Sequence, residues 1–346
     1  MNVAEAKTVA RRWVEEHAAG VPGYAGAYHS GSVNWLDDGD ELSATSDVDV
    51  AVVVDGAPAR PSPGKLLYRG VLIDGGFRPR DTLADADAVL AEYQLAPPFS
   101  RRCVIADPSG FLAGLQSAVS ASFARRRWVE RRCAQAADKV RRYLASVDET
   151  APLHDQAMSW LFAAGVTTHV LLSAGLQNPT VRRRYVAVRD VLARYGMLEF
   201  HETLLSLLGC ADMSASRAAH NLRALEEVFD ATKAVIRSRF VFAGDITDAA
   251  RPIAIDGARE LIDRGDHREA VFWIAVTASR CQKVLDTDAP AELREQSAGA
   301  YLELLADLRI ATPAAIERRA RDVEALLPAA CDVAQRIIDA NAEVHA

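Results

Sequence analysis

The amino-acid sequence predicts an α+β fold, with a small mixed-sheet domain followed by an all-helical bundle. Three observations support this. β-Branched runs with period-two patterning are confined to roughly the first hundred residues. From about Asp107 onward only helical periodicity is found. The domain boundary is expected in Ser146 to Leu153, a stretch that contains Pro152. The expected domains are therefore 1–147 and 148–346.

The elements follow in order. Ala4 to His17 reads as an amphipathic helix, and Tyr24 to Ser30 as a short strand. DVDVAVVV, Asp47 to Val54, is the clearest strand, closed by Asp55-Gly56. A Pro-rich connector, Gly56 to Gly64, leads into a third strand, Leu66 to Phe77. Asp81 to Tyr93 is expected to be helical, and Arg102 to Ala106 to form a fourth strand. Asp107-Pro108 reads as a helix start, with Asp as N-cap and Pro at the first helical position. Val129, Cys133, Ala136, Val140 and Leu144 make one helical stripe. Ile316, Ala320, Val323, Leu327, Ala330, Ala334 and Ile337 make another, on a helix opened by Thr312-Pro313. Pro328 is expected to kink or break that helix.

Composition narrows the class. The 346 residues are 50 % hydrophobic and 25 % charged, as in a globular chain with material for a core. A net charge of −7 argues against bulk nucleic-acid binding, which needs a basic footprint. The five cysteines are scattered and odd in number, which fits reduced thiols. The first residues carry no signal-peptide core. Ala157 to Leu176 lacks charge and has membrane-spanning length, but its Ser, Thr and His content fits a buried bundle helix better. The expectation is a soluble, cytoplasmic protein.

The chemistry concentrates in His29 to Val54. A strand runs into Gly31-Ser32, a loop follows, and Ser46 precedes the strand bearing Asp47 and Asp49. Residues i and i+2 of a strand project from one face, so the two carboxylates lie side by side. Their repulsion calls for a cation, and hard carboxylate oxygens suit Mg²⁺. Glycine lets backbone approach a phosphate closely, and amides in a tight turn form an anion nest to which a Ser hydroxyl adds a donor. Asp74, inside the apolar run Val71-Leu72-Ile73, is the candidate third acid of a two-metal site.

This pattern resembles the polymerase-β nucleotidyltransferase superfamily, and within it the bacterial aminoglycoside and antibiotic nucleotidyltransferases. The stretch VIADPSGFLAGLQ, Val104 to Gln116, is similar to a segment that follows the catalytic strands there. The resemblance covers roughly residues 20 to 145. It implies that Gly31, Ser32 and Ser46 bind nucleotide, and that Asp47, Asp49 and Asp74 are catalytic and hold two Mg²⁺ ions. It implies ATP as co-substrate, a small-molecule hydroxyl as acceptor, and a helical domain that forms the acceptor wall and can dimerise. A protein or tRNA acceptor, or nucleotide binding without turnover, are the alternatives. Thirteen residues, Val33 to Thr45, separate the two halves of the motif. They are acidic (Asp37, Asp38, Asp40, Glu41), which sets this loop apart from the pattern.

Bland readings stand beside these. Asp pairs often cap turns, and Asp74 could start one at Gly75-Gly76. His29 reads as a locally satisfied strand-end residue and His169 as a core histidine. The clusters Arg125–Arg142 and Arg182–Arg184 read mainly as solvated helix faces, with Arg132 and Lys139 at the rim of a buried stripe.

Overall fold

Val48–Val54 (β2) forms the centre of a five-stranded mixed sheet ordered β3-β4-β2-β1-β5. Its neighbours are β1 (Tyr24–His29), β3 (Gly64–Tyr68), β4 (Val71–Pro79) and β5 (Val104–Ala106). β2 pairs antiparallel with β1 and parallel with β4. The protein is a computed structural model that describes residues 1–58 and 61–346. Ala59 and Arg60 of the Pro-rich connector lie outside the described residues.

The alternation read in DVDVAVVV is present. Val48, Val50, Val52 and Val54 face one side of the sheet and pack against Val3, Ala6, Ala10, Trp13 and Val14 of α1 (Val3–Trp13) and the π turn that continues it. Each buried valine of this layer contributes about 1.5–3 kcal/mol. The other face is buried partly by Ala51, Val53 and Tyr28, whose ring meets Phe99 at a centroid distance of 4.6 Å. Asp49 belongs to this second face.

One expected strand is two. Leu66 to Phe77 is broken by a tight turn at Arg69-Gly70, both with positive φ (48° and 82°), and Tyr68 pairs with Val71. A two-residue turn with positive φ at both centres matches the twist of a hairpin, and glycine accepts it without strain. Asp81–Tyr93 is also more broken than expected. A 3₁₀ turn, Arg80–Leu83, precedes α2 (Ala86–Ala91), which Asp85 caps.

The 33–45 loop is tied to the start of α1. Asp40 and Asp38 carbonyls accept the Val3 and Ala4 amides at 2.9 and 3.0 Å, and the Leu42 amide donates to the Met1 carbonyl at 3.0 Å. Asn2 and Glu5 form a capping box on the same helix end. The Lys7 ammonium reaches Asp38 at 2.8 Å. Loop carbonyls thus take helix amides that have no partner inside the helix.

The remaining helices are α3 (Ala96–Phe99), α4 (Phe111–Ser122), α5 (Arg126–Ala145), α6 (Leu153–Ala174), α7 (Arg184–Arg194), α8 (Glu199–Leu208), α9 (Ala215–Val235), α10 (Gly257–Asp263), α11 (His267–Asp288), α12 (Ala291–Asp307) and α13 (Pro313–Ala340). Residue contacts divide the chain into two units. One is Met1–Arg132 with Leu176–Thr180 and Asn341–Ala346; the other is Cys133–Gly175 with Val181–Ala340. The division falls inside α5, upstream of the Ser146–Leu153 stretch.

Asp107 is not the N-cap of α4, nor Pro108 its first residue. Gly110 holds the cap position, with φ 76°, and the Asp107 carboxylate reaches forward to accept the Ala113 amide at 2.8 Å. A glycine has no side-chain acceptor, so an upstream carboxylate supplies it.

In the second unit α6 and α11 are the central helices, each packed on several others. Among the described residues α6 alone is long and apolar enough to cross a membrane, and 83 % of its apolar window is buried. Packing against α7, α8, α11 and α13 accounts for its missing charges. Pro328 does not break α13, which runs unbroken to Ala340. The proline removes one backbone bond, but buried Leu327 and Ala330 hold the flanking turns.

Candidate metal centre

Register assembles the site. Asp49 on β2 stands directly beside Asp74 on parallel β4. Asp47, two residues before Asp49, projects from the same face. One carboxylate oxygen from each of the three lies within 4.8 Å of the others. The three acids proposed from sequence are therefore together.

Gly31 closes one side. A Cβ built on it would lie 1.6 Å from Asp49 Oδ2. The glycine is required for close approach, since any side chain would occupy the carboxylate's own volume. The Ser30 amide donates to the Asp49 carbonyl at 3.1 Å, which pins the turn to the strand. Ser32 opens a short 3₁₀ turn, Ser32–Asn34, and the Asn34 side chain donates to the His29 carbonyl at 2.6 Å. Ser46 precedes Asp47 in a second turn, where its amide is bonded to the Ser43 carbonyl at 3.0 Å.

The carboxyls respond to this crowding. Loss of hydration, then the charges of Asp47 and Asp74, push the Asp49 carboxyl well above the usual range. Burial also raises Asp47, while Lys65 opposes the rise. Three hard oxygen donors that repel one another this way fit a divalent cation such as Mg²⁺.

Sequence reasoning missed Lys65. It lies on β3 opposite Asp74, its ammonium is bonded to the Asp74 carboxylate, and it stands 3.5 Å from Asp47 Oδ2. Its side chain is only 10 % exposed. The Lys-Asp pairing depends on the β3–β4 hairpin, where the sequence pattern alone suggests a single strand. An aromatic side chain, Trp35, follows the glycine turn. It lies three residues past Ser32, hence within about 10 Å of it. Arg101 stacks on its ring at 4.3 Å, beside a cleft of about 360 Å³ also lined by Ser100, Ser120 and Phe123.

Other candidates fall away from the site. His29 pairs with Val50, so its ring lies on the α1 face, where burial and the charges of Lys7 and Arg11 lower its pKa to about 3. His169 is buried in α6. Two arginines read as surface or rim are buried. Arg132 donates to the Leu90 and Phe123 carbonyls at 3.0 and 2.6 Å, and Arg184 stacks on Phe272 at 4.1 Å. In the helical unit several acids are already paired: Arg189 with Asp266 and Glu269, Arg251 and Arg259 with Glu226, and Arg217 with Asp307. No family model matches the chain, and no curated protein matches it.

Proposed function

We propose that the chain is a Mg²⁺-dependent nucleotidyltransferase that moves a nucleoside monophosphate, AMP from ATP, to a hydroxyl of a small molecule. One observation supports this above the others: three carboxylates converge within 4.8 Å while a glycine turn lies directly against one of them. Metal ligands beside a turn that backbone can bring up to a phosphate are the two parts phosphoryl chemistry needs.

Asp47 and Asp49 would hold the ion together with Asp74. The ion would neutralise charge on the phosphates. Gly31 and Ser32 orient the triphosphate through backbone amides and the hydroxyl. The acceptor O–H gives its proton to Asp74 as the new O–Pα bond forms. The bond from Pα to the bridging oxygen breaks, and pyrophosphate leaves with the electron pair. Trp35 and the adjoining cleft offer a stacking surface for the base.

The test is incubation with labelled nucleoside triphosphates, Mg²⁺ and a panel of hydroxyl-bearing antibiotics, reading pyrophosphate release and label transfer. Asp49→Asn should lower the rate by on the order of 10³-fold or more. Absence of both nucleotide binding and pyrophosphate release, with Asp49→Asn indistinguishable from wild type, would sink the reading.

A further inference from the structure

The resemblance read in the sequence implies two metal ions. The Lys65 side chain alters that count. Its place is set by backbone pairing, because β3 and β4 bring residues 65 and 74 directly opposite each other. It contacts Asp74 and lies 3.5 Å from Asp47, so it bridges the two outer carboxylates of the triad. At 10 % exposure it is held in the site rather than swung out to solvent.

We propose that the Lys65 ammonium is the resident second cation of this centre, so that the site takes one divalent ion instead of two. This rests on the nucleotidyltransferase reading above. The space beside the Asp47 and Asp74 carboxylates, which a second ion would need to reach them, already holds a positive charge. Three carboxylates and one ammonium sum to −2 when all four are charged, which one divalent ion balances. Two-metal sites hold their ions about 3.5–4 Å apart on shared carboxylates, and a second ion held by these carboxylates would be repelled by the ammonium already paired with two of them. Lys65 then performs electrostatically, on the Asp74 side, what the missing ion performs elsewhere. It does so without needing to be recruited from solution.

The test counts ions. The full chain is loaded with Mn²⁺ and an ATP analogue non-hydrolysable between the α- and β-phosphates. Bound Mn²⁺ is measured by equilibrium dialysis and electron paramagnetic resonance. Wild type should bind one ion per chain, with an isolated-ion spectrum. Lys65→Met should bind two, with a spin-coupled spectrum and a second-ion affinity at least about tenfold above that of wild type, or some 1.4 kcal/mol. Lys65→Arg, which keeps the charge, should stay at one. Two coupled ions in wild type overturn the proposal and leave the nucleotidyltransferase reading standing. A single ion in a folded Lys65→Met overturns it too. No Mn²⁺ bound by wild type removes the metal centre itself. If Lys65→Met does not fold, the wild-type and Lys65→Arg counts decide.

Discussion

Asp49→Asn should make the metal-free protein more stable while removing its proposed activity. The ligand oxygens of the triad lie within 4.8 Å of one another. At that distance each charged pair repels by about 3.5 kcal/mol or more at an effective dielectric near 20. Two such pairs involve Asp49, and Lys65 offsets part of the sum. Protonation also limits the cost. A carboxyl that takes up a proton rather than ionise loses at most about 4 kcal/mol between its unfolded pKa near 3.9 and pH 7. The expected gain at pH 7 is thus about 1–4 kcal/mol.

The pH dependence has a definite sign. The Asp49 pKa is raised on folding. The folded chain therefore holds a proton that the unfolded chain releases, and stability from this group falls as pH rises above about 4. Asp47, also raised, acts in the same direction. Wild type and Asp49→Asn should converge near pH 4 and separate toward pH 8 in chelator. Mg²⁺ at a hundred times its dissociation constant should restore about 2.7 kcal/mol to wild type and little to the variant. Urea unfolding at several pH values, with EDTA or Mg²⁺, measures all of this. A variant less stable than wild type in EDTA at pH 7.5, or pH curves that run parallel, would refute the reasoning.

Three further outcomes are expected. Gly31→Ala forces a methyl into the space of Asp49 Oδ2. It should weaken Mn²⁺ binding at least tenfold and cost about 1–3 kcal/mol of stability, by dialysis and thermal melting; unchanged binding would show that turn and carboxylate do not share that space. Trp35→Ala should raise KM for the nucleotide about tenfold with kcat nearly constant, as expected for a lost stacking contact of roughly 1–3 kcal/mol; a fall in kcat alone would place the ring elsewhere. Arg132→Met strands two buried carbonyls and should destabilise by about 2–4 kcal/mol, by urea unfolding, with Mn²⁺ binding intact.

The acidic triad was legible because its information is local. Asp47 and Asp49 reveal their shared face by spacing alone, and Asp74 stands out as a charge inside an apolar run. Lys65 was hidden because its meaning arises only from register across a hairpin. The hairpin itself had a signal: a 12-residue strand is twice the usual length, and Arg69-Gly70 sits in its middle. The burial of Arg132 and Arg184 is hidden in the sequence for another reason. A guanidinium can be buried if carbonyls or an aromatic face receive it, and those partners are far apart in sequence. The acidic 33–45 loop looked like a departure at the site. Its backbone carbonyls and Asp38 also anchor the start of α1, a role that depends on contacts far apart in sequence.

The contact between Gly31 and Asp49 also links two positions in any future divergence of this chain. While residue 49 keeps its carboxylate, any side chain at residue 31 carries a penalty. A copy that gave up the carboxylate for a small side chain would release the glycine from that restraint. A descendant with a bulkier residue at 31 should therefore already have lost Asp49. Residues 31 and 49 are thus expected to change together.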